Sequence, residues 1–181
     1  MDSLRLFIAI KLPQDLIEKL TIYQSQLTNE KFRIAPAQNL HLTLLFIGDT
    51  PQNKLPIVKE IIAKYLRGFK PTPITFTDID YGPLPRSPRL IWLKGKDNNE
   101  FNNLKQNISA NLEVVNDSFK FLPHITLARF KNIPLSSLPE LPTPHIFQNY
   151  SFTPKSIWLM QSILKKDSPQ YIDLLEFNLS L

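Results

Sequence analysis

The chain carries three histidines in 181 residues, and two of them, His41 and His124, are followed two positions later by threonine. In an extended strand, residues two apart project from the same face. His41 with Thr43, and His124 with Thr126, therefore each present an imidazole beside a hydroxyl. The alternate positions Leu42, Leu44, Phe46 and Ile125, Leu127 are apolar and suit a core. Histidine titrates near neutrality and can accept or donate a proton. Two histidines facing one cleft are the pair needed to open a cyclic phosphodiester, one activating water and the other protonating the departing oxygen. The threonine hydroxyls can donate to the non-bridging phosphate oxygens, where charge collects. This chemistry requires no metal, and the sequence offers no convincing metal-ligand set. A lone histidine in an apolar strand is more often a satisfied core residue, and threonine is a good strand former. The repetition of the pattern tips the reading towards chemistry. His145 has no such context and reads as an ordinary surface residue.

The elements that must position these residues are legible in outline. Leu4 to Ile10 reads as a strand rich in branched and aromatic residues. Pro13 opens a helix whose stripe is Leu16, Leu20, Tyr23 and Leu27. Asn39 to Ile47 forms the first motif strand. Asn53 starts a second helix with Ile57, Ile61, Ile62 and Tyr65 on its buried side, and Gly68 caps it. Pro73 to Tyr81 and Arg89 to Lys94 read as an antiparallel pair. Asn99 to Leu112 is a third helix, with Phe101, Leu104, Ile108 and Leu112 in register. Phe119 to Phe130 is a strand region interrupted at Pro123. Residues 131 to 149, with Pro134, Pro139, Pro142 and Pro144, read as an irregular surface loop. Ser156 to Leu164 and Gln170 to Leu179 form a hairpin around a turn of Lys165, Lys166, Asp167, Ser168 and Pro169. The order β-α-β-α-β-β-α-β-β-β, with its hairpins, points to an α+β fold of mainly antiparallel sheet. Each half contributes a helix and a strand beginning with histidine, a weak two-fold echo.

Composition bounds the remaining classes. The apolar fraction is 43%, ordinary for a globular chain and too high for disorder. The length suits one large domain or two small lobes sharing a core, and a single domain over residues 1–181 is expected. There is no cysteine, which excludes disulfides, thiol catalysis and cysteine zinc sites, and fits a cytoplasmic protein. The apolar runs are strand-sized, so no transmembrane span is expected, and the N-terminus lacks the long apolar run of a signal peptide. The net charge of +5 matches a solvated basic surface or one that faces a phosphate-bearing partner.

These residues bring a family into view. The chain resembles the two-histidine phosphoesterase superfamily. Within it, it is similar to the RNA 2′,3′-cyclic phosphodiesterases, also called the 2′-5′ RNA ligase family. The resemblance rests on His41-Leu42-Thr43-Leu44 and His124-Ile125-Thr126-Leu127, 83 residues apart. It extends to Arg5-Leu6-Phe7-Ile8-Ala9-Ile10 with Leu12-Pro13, to Asn39-Leu40 and Phe46-Ile47-Gly48 around the first motif, and to Pro123 and Ala128-Arg129 around the second. Ser162 and Tyr171 fall where the family often has a serine and a tyrosine.

The resemblance implies a bilobal α+β fold: two pseudo-symmetric lobes of mainly antiparallel sheet, helices outside, and a central cleft with the motifs at its floor. It implies hydrolysis of an RNA 2′,3′-cyclic phosphate end to a 2′-phosphomonoester, with no cofactor. His41 and His124 take the catalytic places, Thr43 and Thr126 the phosphate-contacting places, and Arg129 a place assisting at the phosphate. His124 is assigned as base and His41 as acid, although the sequence does not order them. Arg33, eight residues before His41, matches an arginine found in some members and is a candidate RNA-phosphate contact. Strict strand alternation puts Arg129 on the face opposite His124, so it reaches the phosphate only if the strand twists or bulges.

Other readings remain open at this point. A non-catalytic RNA- or nucleotide-binding module would use the same fold, but binding alone does not need paired proton carriers. Ligation of ends through a 2′-5′ linkage uses the same acid–base pair in reverse. Trp92 and Phe32 can stack on a base, though core is the more common fate of such residues. Lys94, Lys96, Arg86 and Arg89 can line an RNA path or simply solvate the surface. A monomer is expected, because the two lobes can satisfy each other.

Overall fold

The computed structural model describes residues 3–114, 120–131, 133–143, 147, 149–166 and 168–179. Phe119, Pro144, His145 and Asp167, each part of a sequence expectation, lie outside them. Nine strands and three α-helices follow one another as β1 (Ser3–Lys11), α1 (Gln14–Gln24), β2 (Arg33–Ile34), β3 (His41–Pro51), α2 (Leu55–Leu66), β4 (Ile74–Gly82), β5 (Leu90–Gly95), α3 (Asn99–Asn111), β6 (His124–Arg129), β7 (Ser151–Phe152), β8 (Ser156–Ile163) and β9 (Gln170–Asn178), among the described residues.

The strands lie in the order β7-β4-β5-β6-β3-β1-β8-β9, with β2 added beside β6. Every pairing among the described residues is antiparallel. The fold is therefore α+β, as expected. Its two halves of four strands meet at the two motif strands. A single Cα pair, Leu42 with Ile125, joins β3 to β6. The halves echo each other: β1-α1-β3 and β5-α3-β6 both run strand, helix, adjacent antiparallel motif strand. In each the residue opposite the histidine is a lysine, Lys11 for His41 and Lys94 for His124. Each lysine is neutralised by an aspartate, Lys11 by Asp173 and Lys94 by Asp80.

Alternation in the strands sends one face to the helices. Leu6, Ile8, Ile10, Leu42, Leu44, Ile125 and Leu127 are buried in one cluster with Leu16, Leu20 and Tyr23 of α1, Val58 and Ile62 of α2, and Phe101, Leu104 and Ile108 of α3. The sequence stripes of α1 and α3 hold, with Leu27 and Leu112 partly buried at their ends. Helix α3 starts where its sequence says, because the Asn98 side chain accepts from the Phe101 amide at 3.1 Å. Gly68, at φ +77, turns the chain after α2 in the left-handed conformation that glycine adopts freely.

Some boundaries differ from expectation. In α2 the buried face is Val58, Ile62 and Leu66, and Ile57 is 53% exposed. The helix begins at Leu55 after a 3₁₀ turn over Gln52–Lys54. That changes which residues fall on its inner stripe. Strand β3 runs on to Pro51, and β6 starts only at His124. The two-residue strands β2 and β7 are too short to leave a periodic signal.

Candidate active site

Each histidine is the first residue of its strand, and the turn before it fixes its ring. The His41 Nδ1 lies 2.7 Å from the Asn39 carbonyl oxygen, and the His124 Nδ1 lies 2.9 Å from the Leu122 carbonyl oxygen. A carbonyl only accepts, so in both rings Nδ1 carries the proton and Nε2 holds the free lone pair. The supporting turns are themselves held. The Asn39 side-chain amide donates to the Pro169 carbonyl at 2.9 Å, tying the first turn to the β8–β9 hairpin. In the second, the buried Asn102 of α3 accepts from the Phe121 amide at 2.9 Å, and the Gly95 amide donates to the Pro123 carbonyl at 2.7 Å.

The antiparallel register around Leu42 and Ile125 sets His41 across from Thr126 and Thr43 across from His124. The two imidazoles thus lie on a diagonal, each with a hydroxyl before it and beside it. The Thr43 hydroxyl stands 3.0 Å from the His41 Nε2 and donates to it. All four side chains line one open cleft of about 660 Å³.

Aromatic rings back both imidazoles. Phe7 and Tyr171 pack on His41 with centroids at 5.3 and 5.0 Å, and Trp92 packs on His124 at 5.1 Å. Burial against these rings lowers the pKa of both histidines below the ordinary 6.5, since an imidazolium loses its hydration there. The carbonyl at each Nδ1 opposes this, and the positive charge of Arg129 adds to it. Burial raises the pKa of Tyr171, so its hydroxyl keeps its proton and remains a donor.

Arg129 reaches the cleft by a bulge. In the β5–β6 register Ile91 pairs with Ala128 but Trp92 pairs with Thr126, so Leu127 is the extra residue. Leu127 and Ala128 are both buried, and alternation resumes out of phase, turning Arg129 to the histidine side. The tension between its position and strict alternation is thereby removed. The buried Gln24 pins the bulge. Its side-chain amide donates to the Leu127 carbonyl at 2.8 Å and to the Ala35 carbonyl at 2.9 Å.

Arg33 also lines the cleft, on β2 and directly opposite Arg129. All six residues singled out from the sequence are thus brought to one cleft: His41, Thr43, His124, Thr126, Arg129 and Arg33. Ser162 and Tyr171 line it too. Trp92 is 8% exposed and forms the wall behind His124, and Phe32, also 8% exposed, packs on Phe130 and Tyr81. Of the four basic residues weighed as an RNA path, Arg89 lines the cleft and Lys94 is paired with Asp80 instead. Sequence reasoning missed Gln24 as a positioning residue, because a glutamine in a helix carries no signal of which distant carbonyl it will meet. It also missed Lys31, Lys131 and Phe46 on the cleft lining. Among the described residues no three His, Asp or Glu side chains gather, and no helix is long and apolar enough to cross a membrane.

Residues 12–162 match the model of the 2′-5′ RNA ligase superfamily, and the chain belongs to that family. It is 29% identical to an RNA 2′,3′-cyclic phosphodiesterase of Archaeoglobus fulgidus over 96% of this chain and 99% of that one. It is 31% identical to the protein of the same name from Methanocaldococcus jannaschii, over 72% of this chain and 73% of that one. Among solved structures it is similar to a Thermus thermophilus protein, with TM-score 0.83 and 28% identity, covering 97% of each chain. It is also similar to E. coli LigT complexed with 3′-AMP, with TM-score 0.76 and 25% identity, covering 99% of this chain and 100% of that one.

Proposed function

We propose that this chain is an RNA 2′,3′-cyclic phosphodiesterase that opens the cyclic phosphate of an RNA end to a 2′-phosphomonoester. The observation that carries the reading is the diagonal placement of two histidine–threonine pairs in one cleft, each Nδ1 proton held by a carbonyl, with the His124 Nε2 free among the described residues and the His41 Nε2 met by the Thr43 hydroxyl. The names of the curated relatives and the nucleotide bound to E. coli LigT support it.

In this mechanism the cyclic phosphate sits between the rings. His124, whose Nε2 has no protein partner among the described residues, removes a proton from water as the water oxygen bonds to phosphorus. The bond from phosphorus to O3′ breaks, and His41 delivers its Nε2 proton to O3′. Thr43 turns its hydroxyl from His41 to a non-bridging oxygen, and Thr126 donates to the other. Arg129 and Arg33 face the anion with fixed positive charge. Burial and Arg129 disfavour the charged form of both imidazoles. The phosphate brings the negative charge that restores one imidazolium, so the substrate assembles its own acid. Ligation would follow the same steps with a 5′-hydroxyl in place of water, and water, as the abundant nucleophile, favours hydrolysis. The chain acts as one domain, as a monomer and in the cytoplasm, where its lack of cysteine carries no cost.

The test is turnover in EDTA of a short RNA ending in a 2′,3′-cyclic phosphate, with His124→Ala alongside. Conversion to a 2′-phosphate by the wild type alone is expected. A 3′-phosphate product would place the acid beside O2′ instead, and tight binding without conversion would leave a binding module.

A further inference from the structure

The charge at one end of the cleft exceeds what a single cyclic phosphate requires. Arg33 of β2 stands directly across from Arg129 of β6, and Arg129 is in turn opposite Leu90 of β5. The Phe130 amide donates to the Arg89 carbonyl at 3.0 Å, which brings Arg89 alongside the same point. Lys31 lies two residues before Arg33 and Lys131 two residues after Arg129, at the same end of the antiparallel β2–β6 pair, and all five cations line the cleft. Like charges opposite each other on neighbouring strands are destabilising unless an anion lies between them. Among the described residues none of the five forms an ion pair, and none of those that line the cleft is an aspartate or a glutamate. The lysines opposite the histidines, Lys11 and Lys94, are by contrast each neutralised by an aspartate. Positive charge is therefore cancelled at the lysines opposite the histidines and left standing on β2, at the end of β6 and just before β5. Ile34, 38% exposed, lies among these cations, offering apolar surface next to charge. That mixture suits a single strand, whose phosphates and unstacked bases are both accessible.

We propose that the RNA upstream of the cyclic phosphate leaves the cleft across the β2–β6–β5 end, with Lys31, Arg89 and Lys131 holding its phosphodiester backbone. The substrate class is then a single-stranded oligonucleotide end in preference to a cyclic mononucleotide. This rests on the proposed reaction. Arg129 and Arg33 serve the reacting phosphate, whereas the outer three meet only a longer chain.

The experiment compares a cyclic mononucleotide with a hexanucleotide ending in the cyclic phosphate, for the wild type and for Lys31→Ala/Arg89→Ala/Lys131→Ala. The wild type is expected to favour the hexamer in kcat/KM by about 10-fold or more. The triple variant should lose that preference and keep its rate on the mononucleotide within about twofold. Binding of a labelled hexamer with a 2′-phosphate end, followed against salt, gives a readout independent of turnover. The slope of log K against log salt should shrink by about 2, at roughly 0.7 per phosphate contact on a single strand. Equal wild-type efficiency on both substrates, or an unchanged hexamer rate in the triple variant, would overturn the proposal while the reaction stands. Equal loss on both substrates would also overturn it, by placing the three residues at the reacting phosphate. If no substrate turns over but the salt slope still falls as stated, the backbone track holds and the reaction is wrong. Absence of both turnover and salt-dependent binding overturns both.

Discussion

Leu44 and Leu127 are the extra residues of two matching bulges, each standing three places after its histidine. In β3 the register passes from Ile8–Leu45 to Ala9–Thr43, and in β6 from Ile91–Ala128 to Trp92–Thr126. A strand with one unpaired residue changes face at that point. Two cleft-lining side chains, Phe46 and Arg129, are thereby returned to the histidine side. The two halves use one backbone device to present an aromatic ring at one end of the cleft and a guanidinium at the other.

Gln24 should therefore matter to Arg129 without touching it. Gln24→Leu leaves the Ala35 carbonyl without its donor and takes one of two donors from the Leu127 carbonyl, which keeps the Ala35 backbone amide. It should lower stability by about 1–3 kcal/mol, the usual penalty for a buried polar group left unpaired. Urea denaturation measures that. The kinetic signature is non-additivity: Arg129→Ala should cost less in kcat/KM in the Gln24→Leu background than alone. Full additivity would separate the glutamine from the arginine.

The histidines should give a bell-shaped dependence of kcat/KM on pH, with its maximum below pH 6.5. Both folded-state pKa values are depressed by burial, and one ring must be charged while the other is neutral. His41→Ala and His124→Ala should each lower turnover by at least ~10²-fold with the far-UV spectrum unchanged. A flat profile from pH 5 to 9, with chemistry limiting, would contradict the paired mechanism.

Stability should follow the same titrations. A histidine whose folded pKa is depressed binds fewer protons folded than unfolded as pH drops below 6.5. Its contribution is intact above the unfolded pKa and is lost as pH falls through the folded one. Thermal melts between pH 7.5 and 4.5 should therefore show a shallower acid loss for His41→Gln/His124→Gln than for the wild type. Parallel curves would mean that the burial of the rings is not felt as charge.

Thr43→Ala removes the hydroxyl that lies 3.0 Å from the His41 Nε2 and one donor to the phosphate. A fall of about 10-fold in kcat is expected, less than for a histidine, because other donors remain. The same substitution at Thr126 should cost a similar amount. Unchanged rates for both would remove the threonines from the site.

Gly82→Ala tests the wall behind His124. A methyl group there would stand 2.3 Å from the Trp92 ring, inside any tolerable contact. Overpacking of this kind costs about 1–3 kcal/mol, and the displaced indole should disturb the His124 ring packed on it. Tryptophan fluorescence and the kinetic pH profile should both change. A shift in fluorescence with an unaltered profile would show that Trp92 fills space without setting the histidine.

The sequence by itself determined the elements and the chemical pairing. Side-chain period and turn residues are local properties, so β1, α1, α3 and the β8–β9 hairpin were readable from apolar spacing, and each histidine–threonine pair shares a face by strand geometry alone. What only the tertiary structure decided is how the pieces meet. The Leu42–Ile125 pairing that sets the imidazoles on a diagonal joins residues 83 positions apart. The bulge at Leu127 depends on where β5 lies beside β6, and strict alternation alone would have turned Arg129 away. The strand at Arg33 exists only because β6 offers it an edge. Register, bulges and edge pairing are properties of two segments at once, and a pattern written along one segment does not carry them.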